Sequence, residues 1–365
     1  MTTRVLIAPQ ELKGTLTAAQ AAEAIARGLQ AARPGWRLSR FPLADGGPGT
    51  VDLVLARMAG AHARTSRVVD PLGRPIDATW AILPPGDVAV LEMAQASGLA
   101  RLTAAERRPL DASTEGTGQL IHEAMNAGCR RIIIGAGGSA TTDGGAGALH
   151  ALGTRFFDVE GRALRPTPRE LARCAHVAPG PRLGQAELEV WTDVRNPLLG
   201  ADGASRVYAR QKGATGWDAV FLDGTLRRLA RLLPRGLELA SAPGSGAAGG
   251  LAWGLLVACG ARLHPGFLSL CALTGLDGAL DTADLVVTGE GRLDAQTTFD
   301  KGPWGLAHAA KRRGRRVLAF VGSCTLAPEA WRTHFDEVVS LGPPGEAPAA
   351  RLAACARTWA EAQPD

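Results

Sequence analysis

The chain has 365 residues, more than a single hydrophobic core usually holds, which predicts two domains. Hydrophobic residues make up 46% of it and charged residues 21%, so an intrinsically disordered protein is excluded. The net charge of +5 comes from scattered basic residues without interleaved aromatic side chains, and no apolar run reaches the ~18 residues of a membrane-spanning helix. We therefore expect neither nucleic acid nor a membrane as a partner.

The amino end and the cysteines favour a cytoplasmic location. An apolar strand begins shortly after Met1, without the charged and apolar regions of a secretory signal. The six cysteines show no C-x-x-C spacing and the seven histidines are isolated, so a zinc site or a disulfide framework is not expected. A homodimer is compatible with these features.

The amino end predicts alternating strands and helices, followed by a hairpin. Thr17 and Gln20 have the spacing of a capping box at the start of the first helix. The expected elements are a strand at residues 5–8, a helix that stops at Pro34, a strand that ends at Asp45, a helix over residues 50–58 and an antiparallel hairpin over residues 68–82.

The middle and the carboxyl end return to alternating elements. The pattern predicts a strand that ends at Glu92, a helix over 116–127 with Gly128 beyond its end, and strands at 131–135, 283–288, 316–322 and 337–341, with a helix over 305–313 before the third. The two ends of the chain resemble each other more than the middle. We therefore expect an α/β protein with a discontinuous domain, 1–66 plus 283–365, and an inserted α/β domain, 67–282.

Five apolar, strand-like runs end at or near a carboxylate: Asp45, Glu92, Asp143, Asp193 and Glu290. Ligands of an open parallel sheet bind outside the carboxyl ends of its strands, so we expect these acids to meet at one rim. Carboxylates there suit a divalent cation, and glycine-rich loops suit phosphate oxygens. The combination predicts phosphoryl transfer.

Residues 135–147, which follow a triple-isoleucine strand, are the strongest candidate for anion binding. The glycines leave amide N–H groups free to face an anion, and a helix start near Gly145 would add its dipole. A closely packed strand-to-helix turn is the alternative. The candidate ligand-binding residues are Gly137, Gly138, Ser139, Thr141, Asp143, Gly144 and Gly145. Because glycines surround Asp143, we expect its carboxylate mainly to brace the loop.

A second glycine turn contains Asp45, Gly46 and Gly47, which either bind an anion or, through Asp45, cap the helix that follows. Of the 40 basic residues only four are lysine, and Lys13, Lys212 and Lys301 each precede a glycine. A compact ammonium at such turns suits phosphate, and chance surface placement is the alternative.

Two further segments place charged and amide side chains after a strand. Asp193 precedes an arginine and Asn196, and an Asx turn before the next proline is the alternative reading. Glu290 and Asp294 flank Arg292, with Lys301 close behind, and a solvated loop is the alternative there. We favour a functional role for both segments.

Other motifs are weaker. Gly135, Gly137 and Ala140 fit a loose dinucleotide fingerprint with Asp158 as the ribose acid, but no helix follows directly. The chain contains no Gly-Lys step, so a Walker loop is absent, and no G-x-S-x-G elbow of a serine hydrolase occurs.

Taken together, these segments resemble the bacterial glycerate kinases of the glycerate 2-kinase type. This chain departs from the family's usual motifs at three positions: it has Gln10 where the family has an aspartate, Pro48 where it has a glutamate and Asp300 where it has a glycine. The matching stretches follow the family's order from residue 4 to about residue 325, at 8–18, 44–50, 92–99, 116–121, 137–147, 193–198, 211–214, 246–250 and 288–297.

The resemblance implies a flavodoxin-like (Rossmann-like) parallel-sheet domain interrupted by a second α/β domain. It also implies phosphorylation of D-glycerate by ATP with Mg²⁺, typically at the 2-hydroxyl, by in-line transfer in an interdomain cleft. In this hypothesis Asp193 accepts or orients the attacking hydroxyl, and Glu290 or Asp294 holds Mg²⁺. The negative charge of the phosphate or of the glycerate carboxylate would be neutralised by Lys13, Arg292 and Lys301.

Two alternatives belong to other functional classes. One is a dinucleotide-dependent oxidoreductase that uses the loop at Gly135. The other is a catalytically silent glycerate or nucleotide sensor, suggested by Gln10 and Pro48.

Overall fold

A computed structural model of the chain describes residues 2–12, 14–44, 46–180, 183–294, 302–342 and 347–364. The chain forms two compact units, the first made of Met1–Asp45 and Phe267–Asp365 and the second of Gly46–Gly266. The predicted α/β class, with a second α/β domain inserted into the first, is confirmed. In the part of the chain that is described, no helix is both long enough and apolar enough to cross a bilayer.

The secondary structure is given in chain order. The strands are β1 (Arg4–Ile7), β2 (Arg37–Arg40), β3 (His62–Val69), β4 (Pro75–Leu83), β5 (Val88–Glu92), β6 (Arg131–Gly135), β7 (Arg155–Phe157), β8 (Ala163–Leu164), β9 (His176–Ala178), β10 (Glu187–Trp191), β11 (Arg262–His264), β12 (Leu285–Leu293), β13 (Arg316–Cys324) and β14 (Glu337–Ser340).

The helices are α1 (Ala18–Ala32), α2 (Thr50–Arg57), α3 (Met93–Ser97), α4 (Glu115–Asn126), α5 (Ala146–Ala151), α6 (Pro168–Leu171), α7 (Ala204–Tyr208), α8 (Gly216–Leu232), α9 (Gly236–Leu239), α10 (Ala247–Cys259), α11 (Gly266–Thr274), α12 (Leu276–Thr282), α13 (Gly302–Lys311), α14 (Pro328–Trp331) and α15 (Pro348–Glu361). Short 3-10 helices occupy Leu99–Arg101, Ala104–Glu106 and Arg210–Lys212.

The sheet of the first unit is parallel throughout, with the strand order β14-β13-β12-β1-β2. Counted along this unit alone, the order is 2-1-3-4-5, which is that of flavodoxin-like folds. The order reverses between β1 and β12, and ligands of such sheets bind in the crevice at that reversal. On one face α1 packs against α15, where Ile25, Leu29 and Leu352 are buried with Val287 and Phe320.

The second strand of this sheet ends earlier than expected, at Arg40 instead of Asp45. The N–H of Phe41 still donates to β1, and that of Leu43 donates to the carbonyl of Pro9 (2.8 Å). Pro9 itself has no N–H to return to the ladder, so regular pairing stops there. Asp45 lies outside the described residues.

Signals in the sequence for the start of one helix, α1, and for the end of another, α4, agree with the structure. Thr17 Oγ1 accepts from the N–H of Gln20 (3.2 Å), and the Gln20 side chain accepts from the N–H of Thr17 (3.0 Å), which confirms the capping box. Gly128, just beyond α4, has a φ of 88°, the left-handed conformation expected of a glycine that ends a helix.

The second unit contains a mixed sheet with the order β11-β10-β6-β5-β4-β3. Strands β5, β6, β10 and β11 are parallel, and β4 pairs antiparallel with both β5 and β3, which confirms the predicted hairpin. A small antiparallel sheet, β8-β7-β9, belongs to the same unit. The three isoleucines of β6 are fully buried, so this strand lies in the middle of the core.

The boundaries of the two compact units in the sequence differ from the predicted domain boundaries, 66/67 and 282/283. Helix α2 packs on β4 and β5 and so belongs to the second unit, whereas α12 packs on β1 of the first. The joins therefore lie at Asp45/Gly46 and at Gly266/Phe267.

Candidate active site

The five carboxylates expected at one rim belong to two different units. Glu92 ends β5, Asp143 and Asp193 follow β6 and β10 in the second unit, and Glu290 lies in β12 of the first. Asp45 lies outside the described residues. Because β5, β6 and β10 are adjacent and parallel, three of the four described carboxylates follow strands at one sheet edge.

The glycine loop (residues 135–147) packs directly on the second predicted glycine turn. The N–H of Gly137 donates to the carbonyl of Gly46 (3.2 Å). A Cβ at Gly137 would lie 2.4 Å from the Cα of Gly47, and one at Gly135 would lie 2.2 Å from the carbonyl oxygen of Gly46. Only glycine permits backbones to approach this closely. The structure therefore brings the two predicted anion-binding segments together.

A short part of the glycine loop reaches solvent. Gly138 is exposed, and Gly137 and Ser139 are half-buried. The remaining predicted ligand-binding residues of the loop are buried: Thr141, Asp143, Gly144 and Gly145. In this conformation direct contact with a ligand is open to residues 137–139, and the buried residues lie beneath them.

Asp143 braces the glycine loop from inside. Its carboxylate accepts hydrogen bonds from the N–H and the hydroxyl of Thr114 (2.7 and 2.8 Å) and from the N–H groups of Gly145 and Gly147 (3.1 Å each). Burial raises the pKa of this carboxyl, and the four donors oppose the rise because they favour the ionised form. The N–H groups of Gly145 and Gly147 are thus used internally in this conformation, and anion binding by the loop stays a prediction that concerns its exposed part.

Lys212, which the sequence reasoning left out of the site, lies against the same loop. Its side chain is buried, and Nζ donates to Ser139 Oγ (2.7 Å) and to the carbonyl of Thr141 (2.6 Å). Burial lowers the pKa of Lys212 to about 7, and the negative charge of Asp143 opposes that shift. The signal in the sequence was its place among the few lysines that precede a glycine.

A left-handed turn in α10 supports the glycine loop. Ala248, Gly249 and Gly250 have φ values of 54°, 66° and 90°. The carbonyl of Gly249 accepts from the N–H of Gly144 (3.0 Å), and a Cβ at Gly249 would lie 2.0 Å from the carbonyl oxygen of Thr141. This close approach explains the glycines of the stretch 246–250, whose role the sequence alone did not suggest.

Asp193 lies two residues after β10, in a segment that its neighbours hold in place. The amide of Asn196 donates to the carbonyl of Asp202 (2.9 Å) and accepts from the hydroxyl of Tyr208 (2.6 Å), and its own carbonyl accepts from Gly246 (2.9 Å). The Asp193 side chain is half-buried. A partly exposed carboxylate on a fixed backbone, next to the glycine loop's strand, is suited to orient a hydroxyl.

Glu92 has a structural partner in place of a ligand. It is 2% exposed, and its carboxylate accepts from the N–H of Val51 in the first turn of α2 (2.7 Å). The N-cap residue of this helix, Gly49, has no side chain to do so. Burial raises the pKa of Glu92 to about 7. A cap from Asp45 was one of two alternatives from the sequence and lies outside the described residues, whereas Glu92 accepts from this helix out of a neighbouring strand.

The predicted site residues of the first unit lie at the β1/β12 reversal. The N–H of Gln10, just after β1, donates to the carbonyl of Gly289 (2.8 Å). Every second residue of a strand points to the same face, which in β12 and just beyond its end applies to Glu290, Arg292 and Asp294. Arg292 Nε lies 3.3 Å from Asp294 Oδ2. Lys13 and Lys301 lie outside the described residues.

The spacing of Glu290 and Asp294 decides how they could hold a cation. Four residues along an extended strand span about 13 Å between Cα atoms, a spacing that disfavours chelation of one ion by both side chains. Among the described residues, no group of three or more acidic, histidine or cysteine side chains could hold a metal. This arrangement fits Mg²⁺, which is often bound by one protein carboxylate together with phosphate oxygens.

The dinucleotide alternative does not fit the structure. Helix α5 begins at Ala146, well after Ala140, so the loop does not open directly into a helix as the fingerprint requires. Asp158 accepts hydrogen bonds from the N–H and guanidinium of Arg162 inside a tight hairpin turn. Its carboxylate is therefore occupied.

The chain is similar to known proteins over nearly its whole length. A model of the glycerate kinase family matches residues 5–362. The glycerate kinase of Halalkalibacterium halodurans is 41% identical over 345 residues, which cover 93% of this chain and 90% of that protein. The glycerate 2-kinase of Escherichia coli is 38% identical over 327 residues, covering 88% and 86%.

A solved structure has a similar fold. The crystal structure assigned to a glycerate kinase 2 from Salmonella typhimurium superposes with a TM-score of 0.80 at 37% identity. The superposition covers 99% of this chain and 98% of that one. Sequence and fold therefore agree along both units.

Proposed function

This chain belongs to the glycerate kinase family and is a phosphotransferase, and we propose that it transfers the γ-phosphoryl group of ATP to D-glycerate. The expected product is 2-phosphoglycerate, formed by in-line attack of the 2-hydroxyl. The name of the Escherichia coli relative, a glycerate 2-kinase, supports this choice of hydroxyl.

One observation supports the proposal: the glycine loop and a partly exposed carboxylate follow neighbouring parallel strands. Residues 137–139 reach solvent after β6, with the Lys212 ammonium beneath them, and Asp193 follows the adjacent strand β10. Phosphoryl transfer needs positioned donors for phosphate oxygens and a group that orients the nucleophile. The exposed part of the glycine loop and Asp193 support the assignment of these two roles to this sheet edge.

Asp193 would act on the acceptor. Its carboxylate would accept a hydrogen bond from the attacking hydroxyl of glycerate and receive its proton as the bond to phosphorus forms. The braced Asn196 segment would keep the carboxylate in place during this step. Positioning of this kind accounts for much of the catalysis in phosphoryl transfer.

Cationic side chains would offset the charge of the reactants. Arg292 is exposed on the first unit and lies beside Asp294, and we assign it, with Lys13 and Lys301, to phosphate or to the carboxylate of glycerate. Gly46 and Gly47 would contribute backbone close to the glycine loop, and Asp45 precedes them in the chain.

Mg²⁺ would be held by Glu290 or Asp294, one carboxylate per ion, in keeping with their separation along the strand. When bound, the cation neutralises charge on the phosphate oxygens. Arg292 pairs with Asp294, so it would compensate that carboxylate when Glu290 holds the ion.

A coupled assay of ADP release tests the proposal. D-Glycerate with Mg-ATP should give turnover that disappears when glycerate is omitted or when a chelator removes the metal. Other small hydroxy acids serve as comparison substrates, and phosphorus NMR of the product separates 2-phosphoglycerate from 3-phosphoglycerate. Turnover of D-glycerate no greater than the rate without substrate would refute the proposal.

A further inference from the structure

Lys212 is a buried cation, and within the described residues the hydrogen bonds of its side chain go to the glycine loop. It lies at the end of the 3-10 helix Arg210–Lys212, is 2% exposed, and donates to Ser139 Oγ and to the carbonyl of Thr141. Burying an ammonium costs several kcal/mol unless charged or polar partners compensate it. A function that needs the charge would explain why the fold retains it.

Other groups besides Lys212 also hold the loop in place. The N–H of Ala140 already donates to the carbonyl of Ser97 (2.9 Å), and the N–H of Leu99 donates to the carbonyl of Gly138 (2.8 Å). Asp143 adds four hydrogen bonds from the other side. These bonds hold the loop through groups other than the Lys212 ammonium.

The charge does determine the direction of a hydroxyl. An ammonium has donors and no acceptor, so Ser139 Oγ must accept from Lys212. The hydroxyl hydrogen of Ser139 is then left to point to another acceptor, and this side chain is half-buried at the solvent-facing part of the loop. A hydroxyl that accepts from a cation is also polarised, which makes it a stronger donor to an anion.

We propose that Lys212 is a positioning residue that fixes the Ser139 hydroxyl as an outward donor to a phosphate oxygen of the bound nucleotide. The inference rests on the nucleotide-binding part of the function proposed above, because it assigns the loop to the phosphates. A neutral Lys212 amine has a lone pair that can accept from Ser139, so deprotonation would turn the hydroxyl inward.

The surroundings of Lys212 place this change in an accessible pH range. Burial lowers its pKa to about 7, against the opposing charge of Asp143. Arg107 packs against Gly213, the next residue, and its guanidinium donates to the carbonyl of Gln211 (3.4 Å), so one further cation lies near Lys212. A bound phosphate favours the ammonium, so binding above about pH 7.5 should take up a proton.

Calorimetry of Mg-ADP binding to the full chain tests the inference. Measurements run from about pH 7.5, where the nucleotide's own titration is nearly complete, to about pH 9.5, in two buffers of different ionisation enthalpy. We expect affinity to fall by about threefold or more per pH unit, with buffer-dependent heats that show proton uptake. Heats that are independent of the buffer in the wild-type protein would overturn the inference.

Variants identify the residues. Ser139→Ala should weaken Mg-ADP binding by about tenfold at about pH 7.5 and reduce the pH dependence, whereas Ser139→Thr should retain both. Lys311→Met is the matched control, because Lys311 pairs with Asp336 on the surface, and it should behave as wild type. Wild-type affinity and pH dependence in Ser139→Ala would overturn the inference.

Lys212→Met extends the test if the variant folds. It should bind as weakly as Ser139→Ala, and the double variant should be no weaker than either single one, because both changes remove the same donor. Fully additive losses would contradict the inference. If Lys212→Met does not fold, the Ser139 variants still decide. Mg-ADP binding without turnover of D-glycerate would refute the proposed function and leave this inference standing.

Discussion

At the residue scale, two aspartates that both follow parallel strands of the second unit have different surroundings. Asp143 is buried and accepts four hydrogen bonds, whereas Asp193 is half-buried on a segment braced through Asn196. A carboxylate with all its donors inside the fold contributes to stability, and one that solvent reaches can act on a substrate. Substitutions should therefore separate the two roles.

Replacing Asp193 with Asn should lower kcat for D-glycerate by ~10²-fold or more, because the amide cannot accept the proton of the attacking hydroxyl. The affinity for ADP should change little, since the nucleotide is assigned to the glycine loop. Steady-state kinetics and calorimetry measure the two quantities. The control is Asp202→Asn, which changes an exposed carboxylate in the same segment. Near-normal turnover in Asp193→Asn would exclude it as the base.

Replacing Asp143 with Asn should cost about 3 kcal/mol in the free energy of unfolding. The new NH₂ group would face the backbone donors of Gly145 and Gly147, or the carboxamide oxygen would serve fewer of them. Urea unfolding followed by fluorescence measures the change, with Asp202→Asn again as the control. A loss below about 1 kcal/mol would show that the carboxylate does not brace the loop.

At the scale of single elements, α2 depends on a carboxylate from another strand. Glu92 accepts from the N–H of Val51 and has its pKa raised by burial from the ordinary value of 4.5 to about 7. The folded state therefore binds this proton more tightly than the unfolded state. The stability that the group contributes is complete below about pH 4.5 and is lost as the pH rises through about 7.

Glu92→Gln should remove this pH dependence, because the amide oxygen still accepts from Val51 and cannot ionise. Between about pH 4.5 and about pH 7.5 the variant should gain about 3 kcal/mol in unfolding free energy relative to wild type. Urea unfolding across this range measures the difference, with the exposed Glu187→Gln as the control. A difference that does not vary with pH would show that Glu92 ionises normally in the fold.

Local signals in the sequence were enough to predict many elements. The capping box of α1, the glycine after α4 and the β3-β4 hairpin each depend on neighbours in the chain. The roles of Glu92 and Lys212 depend on partners far away in sequence, Val51 and Ser139, so periodicity and spacing could not reveal them.

At the scale of the whole molecule, the two sheets organise their candidate ligand groups differently. The first unit has a flavodoxin-like order, and its predicted residues Glu290 and Arg292 lie in β12, beside the reversal. In the second unit the strands β5, β6, β10 and β11 follow one another in sequence order. There the glycine loop and Asp193 follow adjacent central strands. The sequence predicted acids at strand ends but could not assign each to its sheet.

Nucleotide binding should therefore be detectable as stabilisation of the second unit's sheet. Mg-ADP at about a hundred times its Kd should raise the free energy of opening for the amides of residues 132–134 in β6 by about 2.7 kcal/mol, because global opening of this unit must release the ligand. Native-state hydrogen exchange measures this protection directly.

Ser139→Ala at the same nucleotide concentration provides the comparison. Its weaker binding should give β6 a smaller gain in protection, by about 1.4 kcal/mol for a tenfold loss of affinity. If calorimetry shows saturated Mg-ADP binding while the β6 amides exchange at an unchanged rate, the nucleotide binds outside this unit. The phosphate-binding role would then pass to the loops of the first unit, where Lys13 and Lys301 lie in the sequence.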